Sequence, residues 1–114
     1  LVQVSLEAGA ASGAAEAAGR GGAPPEGVLE LAAQIAGTDG LELAGVMAVA
    51  PLGQPARPAY ARLKEIADTV RSAYPQAQVI SAGMSGDLRE AIAEGATHVR
   101  IGTALLGGRR AFLR

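Results

Sequence analysis

Hydrophobic and polar positions along this chain alternate between two periods. Residues 1–6 (Leu-Val-Gln-Val-Ser-Leu) place β-branched Val2 and Val4 on one side of a polar residue, the period-two pattern of a strand. Val28, Leu31, Ala32 and Ile35 then fall at i, i+3, i+4 and i+7, one face of a helix that Gly37 ends. Pro25 suits the first helical turn, where a missing N–H costs nothing. Residues 41–50 are almost continuously apolar up to Pro51, as in a short strand covered on both faces. Leu63, Ile66, Ala67 and Val70 return to helical spacing, and Pro75 stops that helix just after Tyr74. Residues 77–82 read as a third strand. Residues 87–94 read as a short helix with Leu88, Ala91 and Ile92 inward and Gly95 at its end. Residues 97–101 read as a fourth strand, and 103–106 as a last helical turn.

Residues 7–25 interrupt this rhythm. Five glycines and two prolines predict a mobile Ala/Gly-rich loop, and its alanine-rich centre lacks the large apolar anchors of a stable helix. The remaining order is a βα unit repeated four times, with connections long enough for right-handed crossovers between parallel strands. The fold class is therefore α/β. Four βα units are half of a (β/α)8 TIM barrel, whose usual length is about 250 residues. Two architectures fit: residues 1–114 as the C-terminal half of such a barrel (strands 5–8), or a complete small sheet. The start at Leu1, without Met and directly on a strand, favours the first.

Composition narrows the partners. Of 114 residues only three are aromatic, so the core must be built from Ala, Val, Leu and Ile. A net charge of −1 gives no bulk attraction for nucleic acid or an anionic membrane. With no cysteine and one histidine, neither a disulfide framework nor a His- or thiolate-based metal centre is expected. No apolar run reaches the roughly 18 residues of a bilayer span, and a cytoplasmic location is the expectation.

Candidate chemistry lies between residues 83 and 107. Ser85-Gly86 follows a strand and precedes a helix, and Gly102-Thr103 repeats the arrangement one strand later. First-turn N–H groups and the positive end of the helix dipole attract anions. In eightfold barrels the loops after the last two strands form a recurrent phosphate site. Separately, Ser85 could be an ordinary N-cap and Gly102 a tight turn. Arg100 stands between them, in a strand that should be buried. It either faces outward, pairs with Glu94, or presents its guanidinium to a ligand acceptor. A lone histidine such as His98 is more often packed or surface-exposed than catalytic.

The whole segment 83–107, Gly-Met-Ser-Gly-Asp-Leu-Arg-Glu-Ala-Ile-Ala-Glu-Gly-Ala-Thr-His-Val-Arg-Ile-Gly-Thr-Ala-Leu-Leu-Gly, resembles the signature of the YggS-type pyridoxal phosphate homeostasis proteins, also called proline synthase co-transcribed homologues. Residues 43–48 and 1–6 are similar to the preceding strands of that family. The likeness is weakest over residues 7–27. It implies a barrel of the type seen in the N-terminal domain of alanine racemase. By position, Ser85, Gly102 and Thr103 would bind the phosphate of pyridoxal 5'-phosphate (PLP), and Arg100 would face the pyridine nitrogen. Met84 and Met47 would pack beside the cofactor. A permanently charged donor there favours the unprotonated ring, a weaker electron sink.

The family's Schiff-base lysine lies on an early strand, in an N-terminal half that this sequence does not contain. Lys64, on the polar face of a helix, cannot replace it. The function implied is to hold, buffer and deliver PLP without established turnover. The partners implied are PLP, the missing N-terminal half, and PLP-dependent apo-enzymes, with no nucleic acid and no membrane. The rival is an alanine racemase-like PLP-dependent amino-acid racemase. That chemistry needs a second acid–base tyrosine from an additional β domain. Tyr60 and Tyr74 are on or beside a helix expected on the outside of the barrel.

Overall fold

The structure, a computed structural model, describes residues 1–7 and 21–108. Three parallel strands form its sheet: β1 (Val2–Gln3), β2 (Gly45–Met47) and β3 (Val79–Ser81), in that spatial order. Val2 stands opposite Val46 and Gln3 opposite Met47; Val46 in turn faces Ile80, and Met47 faces Ser81. Parallel neighbours need long crossovers. The first contains a 3-10 turn (Pro25–Gly27) that leads into α1 (Val28–Ala36), and the second contains α2 (Ala56–Ala73). Two short helices complete the chain, α3 (Leu88–Ala93) and α4 (Thr103–Leu106). Among the described residues no helix is long and apolar enough to cross a membrane.

The longest helix is the centre of the packing. α2 lies against α1, α3 and β2, and it buries Ala59, Tyr60, Leu63, Ala67 and Val70 on one face. Val28 and Ala32 of α1 join them, with Leu31 and Ile35 partly covered. Val2, Val4, Leu6, Leu43, Val46 and Ile80 supply the sheet side of this core. Small residues allow close layers. A Cβ on Gly45, at φ 151°, would stand 1.9 Å from the Val79 carbonyl oxygen, so only hydrogen fits between β2 and β3 there.

Several expectations shift. The strands over 1–6, 41–50 and 77–82 shorten to two or three paired residues each, with Val4 adding a bridge to Ala23. The expected fourth strand, 97–101, pairs with β3 through a single bridge, Ser81 to His98. The reason is Thr97. Its hydroxyl accepts the Ile80 N–H at 2.9 Å, where a neighbouring strand would offer a carbonyl, while the Ile80 carbonyl is shared by the backbone N–H groups of Thr97 and His98 at 2.9 and 3.2 Å. Beyond it, Ala82 N–H donates to the His98 carbonyl and Arg100 N–H to the Gly83 carbonyl, which keeps the segment alongside β3.

Ile92, expected inward, is 54% exposed. α3 has only six residues and buries a single one, Ala91, against Gly83. Residues 8–20 of the expected mobile loop lie outside the described residues, as do residues 109–114. Its described end is held against β1, with Ala23 N–H donating to Gln3 and Ser5 N–H to Ala23.

Candidate functional site

The C-terminal ends of β2 and β3 and the segment after the His98 bridge converge on one side of the sheet. Arg100 ties them together. Its backbone N–H donates to the Gly83 carbonyl at 2.8 Å, and its Nη2 donates to the Ala48 carbonyl just past β2 at 2.9 Å. The Nε of the same guanidinium is buried and has no hydrogen-bond partner. Buried donors are almost always paired, so an orphan of this kind marks a place where an acceptor belongs. Glu94 is not that acceptor: it pairs with Arg57 at 2.8 Å.

Residues 84–87 form a tight turn. Asp87 N–H donates to the Met84 carbonyl at 3.1 Å, and the Asp87 Oδ1 accepts the Met84 N–H at 2.9 Å. Ser85 and Gly86 therefore sit at the tip of a turn closed twice. The other carboxylate oxygen, Oδ2, accepts the hydroxyl of Tyr60 at 2.8 Å, which fastens the turn to α2. Burial and the hydrogen bond from its hydroxyl to Asp87 push the Tyr60 phenol up to about 12. Tyr60 stays protonated and donates.

Ser85 does not cap the helix that follows it. Its Oγ instead accepts the N–H of Ala104, in the first turn of α4, at 3.0 Å. The two helix starts picked out in the sequence are thus in direct contact. Between them lies a cavity of about 560 Å³, lined by Met84, Ser85 and Gly86 on one side and residues 100–103 on the other. Of the six candidate residues, Ser85, Arg100, Gly102, Thr103 and Met84 line it. Met47, half-buried on β2 opposite Ser81, does not. Among the described residues Arg100 is the one ionisable group of the lining, and its formal charge is positive. A Cβ added at Gly86 or at Gly102 meets no atom within 4 Å, so both glycines border open space.

Other titratable groups stand apart. The ring of exposed His98 contacts the Thr97 hydroxyl at 2.8 Å. Lys64 pairs with Asp68 one turn along α2. Among the described residues no cluster of His, Cys, Asp and Glu could hold a metal ion. Sequence reasoning missed Asp87 and Tyr60. Asp87 had a local signal, since an Asp just after Met-Ser-Gly is suited to closing a turn through its side chain. Tyr60 had none, because its partner is 27 residues away.

The alanine racemase N-terminal domain family matches residues 11–110. A pyridoxal phosphate homeostasis protein of Mycobacterium bovis is 41% identical over 109 residues, which cover 96% of this chain and 40% of that protein. One of Vibrio cholerae is 38% identical, over 81% of this chain and 40% of its own length. The chain thus spans about two fifths of the length of these relatives. The structure of PipY of Synechococcus elongatus with PLP bound superposes with a TM-score of 0.75 at 28% identity, covering 93% of this chain and 47% of PipY. Without PLP, PipY gives 0.77 at the same identity. A parallel α/β sheet with two helix starts around one arginine, and a family match over 100 residues, lead to one conclusion: this chain, similar to the pyridoxal phosphate homeostasis proteins over two fifths of their length, belongs to the alanine racemase N-terminal domain family.

Proposed function

We propose that this chain supplies the phosphate and ring-nitrogen side of a PLP site, in a protein that holds, buffers and delivers the cofactor without turning over a substrate. The observation that carries this reading is the cavity between Ser85 and Arg100, lined by five of the six candidate residues. The residues fit the group. The orphaned Arg100 Nε is a buried donor, and a pyridine nitrogen is an acceptor. Ser85, Thr103 and the backbone at Gly102 would hold the phosphate, and the open space beside Gly86 and Gly102 gives it room.

When bound, PLP supplies an aldehyde that condenses with amines and a ring that withdraws electrons. Arg100 orients that ring and, being always protonated, leaves its nitrogen without a proton. Met84, 39% exposed, would cover apolar ring surface. The three strands and segment 97–101 act as strands 5–8 of a (β/α)8 barrel, and the covalent lysine comes from the upstream half. The names of the relatives, homeostasis proteins rather than enzymes, support a holding role.

The test is a titration of the full-length protein with PLP, followed by absorbance, for the native chain and for Arg100→Glu. Saturable binding is expected, and the substitution should weaken it by about tenfold or more, as the loss of a hydrogen bond to a charged donor implies. No saturable binding, or an unchanged spectrum and affinity in Arg100→Glu, would overturn the assignment. Racemisation of an amino acid at enzymatic rates would favour the racemase instead.

A further inference from the structure

The phosphate cup is built on a turn that does not hold itself in place. Residues 84–87 are closed locally by Asp87, through the Met84 N–H and the Met84 carbonyl. Closure fixes the shape of the turn, but not its position relative to the sheet. Position comes from the chain's exit from β3, where the Gly83 carbonyl accepts the Arg100 N–H, and from two side-chain bonds of the turn itself: Ser85 Oγ to the Ala104 N–H on one side, and Asp87 Oδ2 to the Tyr60 hydroxyl on the other. The first leads to α4, a helix of four largely exposed residues. The second leads to α2, an 18-residue helix in the middle of the core, where Tyr60 is only 2% exposed. The rigid anchor is therefore Tyr60. Its oxygen also shares a hydrogen bond with the backbone at Ala50, two residues past the carbonyl that holds Arg100. One phenol links the loop after β2 to the turn after β3.

The geometry points to Tyr60 as a positioning residue for the phosphate end of the ligand: through Asp87 it sets where Ser85 and Gly86 stand in the cavity, without touching the ligand itself. The inference rests on the PLP reading of that cavity. It separates the two halves of the ligand. The phosphate end depends on the turn and hence on Tyr60, whereas the ring depends on Arg100, which is held by Ala48 and Gly83.

Tyr60→Phe tests this, because it keeps the buried ring and removes only the hydroxyl. Affinities for PLP, for pyridoxal (which lacks the phosphate) and for inorganic phosphate as a competitor are measured on the full-length protein. Expected is a loss of about three- to tenfold for PLP and for phosphate, the size of one positioned hydrogen bond, with pyridoxal unchanged. A second comparison uses the Asp87→Ala background, in which Tyr60→Phe should cause no further loss. Equal weakening of PLP and pyridoxal would show a general loosening of the fold and overturn the proposal. So would unchanged PLP affinity in Tyr60→Phe. If the native protein binds neither PLP nor phosphate, the reading of the site fails first, and the proposal falls with it. If the Asp87→Ala protein does not fold, the PLP-to-pyridoxal ratio in Tyr60→Phe alone decides.

Discussion

Glycines at three positions illustrate how differently single residues are constrained. Gly45 is required by the fold, because any side chain would enter the Val79 backbone. Gly45→Ala should therefore lower unfolding free energy by about 1–3 kcal/mol or more, the cost of overpacking, in a denaturant titration. Gly86 and Gly102 have the opposite standing. Their Cβ positions are open, and Gly102 has an ordinary φ of −117°, so Gly102→Ala should leave the denaturation midpoint close to that of the native protein. It should still weaken PLP binding, since the added methyl takes space beside the phosphate cup. A matching midpoint with lower affinity separates site from scaffold; a midpoint that falls as far as for Gly45→Ala would contradict this division. Arg100 was conspicuous in the sequence because a charged residue interrupts an apolar run. Its bond to the Ala48 carbonyl, 52 residues away, had no local signature.

At the scale of elements, helices were legible and strands only roughly so. Val28, Leu31, Ala32 and Ile35, and Leu63, Ile66, Ala67 and Val70, all lie in or against the core, because helical spacing repeats often enough to define a face. The strands are only two or three residues long, too short for an alternation to mark their ends. The fourth was lost to a competition that propensity does not register, the Thr97 hydroxyl taking the Ile80 N–H that a strand's carbonyl would have received. Ile92 fell on the wrong side because a helix of six residues has no full apolar stripe to orient it. α2 is the element on which most of the packing depends. Leu63→Ala removes a side chain only 1% exposed, and should cost about 2–5 kcal/mol by chemical denaturation. By contrast Arg57, paired with Glu94 at the surface, should cost less than about 1 kcal/mol when replaced by alanine.

For the molecule as a whole, stability should carry the mark of one buried phenol at high pH. Tyr60 is flanked by Asp87, Arg100 and the backbone at Ala50, and burial raises its phenol from 10.0 to about 12. Folding thus favours the protonated form. Its contribution is complete below pH 10 and is lost as pH rises from there through about 12. Urea unfolding across this window should show native stability falling more steeply than that of Tyr60→Phe; parallel curves would show that the phenol titrates alike in both states. The parallel α/β class was legible at this scale, although of the four strands counted in the sequence the sheet holds three and a single bridge. The completion of the fold was not, since the chain spans about two fifths of its relatives.

The bond from Ala104 to Ser85 has one more consequence. Because the Ser85 oxygen already receives the Ala104 hydrogen, its own hydroxyl hydrogen remains to be given away. Beside a guanidinium that can only donate, this tilts the cavity toward guests that bring lone pairs, while the second lone pair of Ser85 and the Thr103 hydroxyl keep some capacity to accept. Guests rich in lone pairs and carrying negative charge are admitted. Ammonium groups of similar size meet the like charge of Arg100 and are disfavoured.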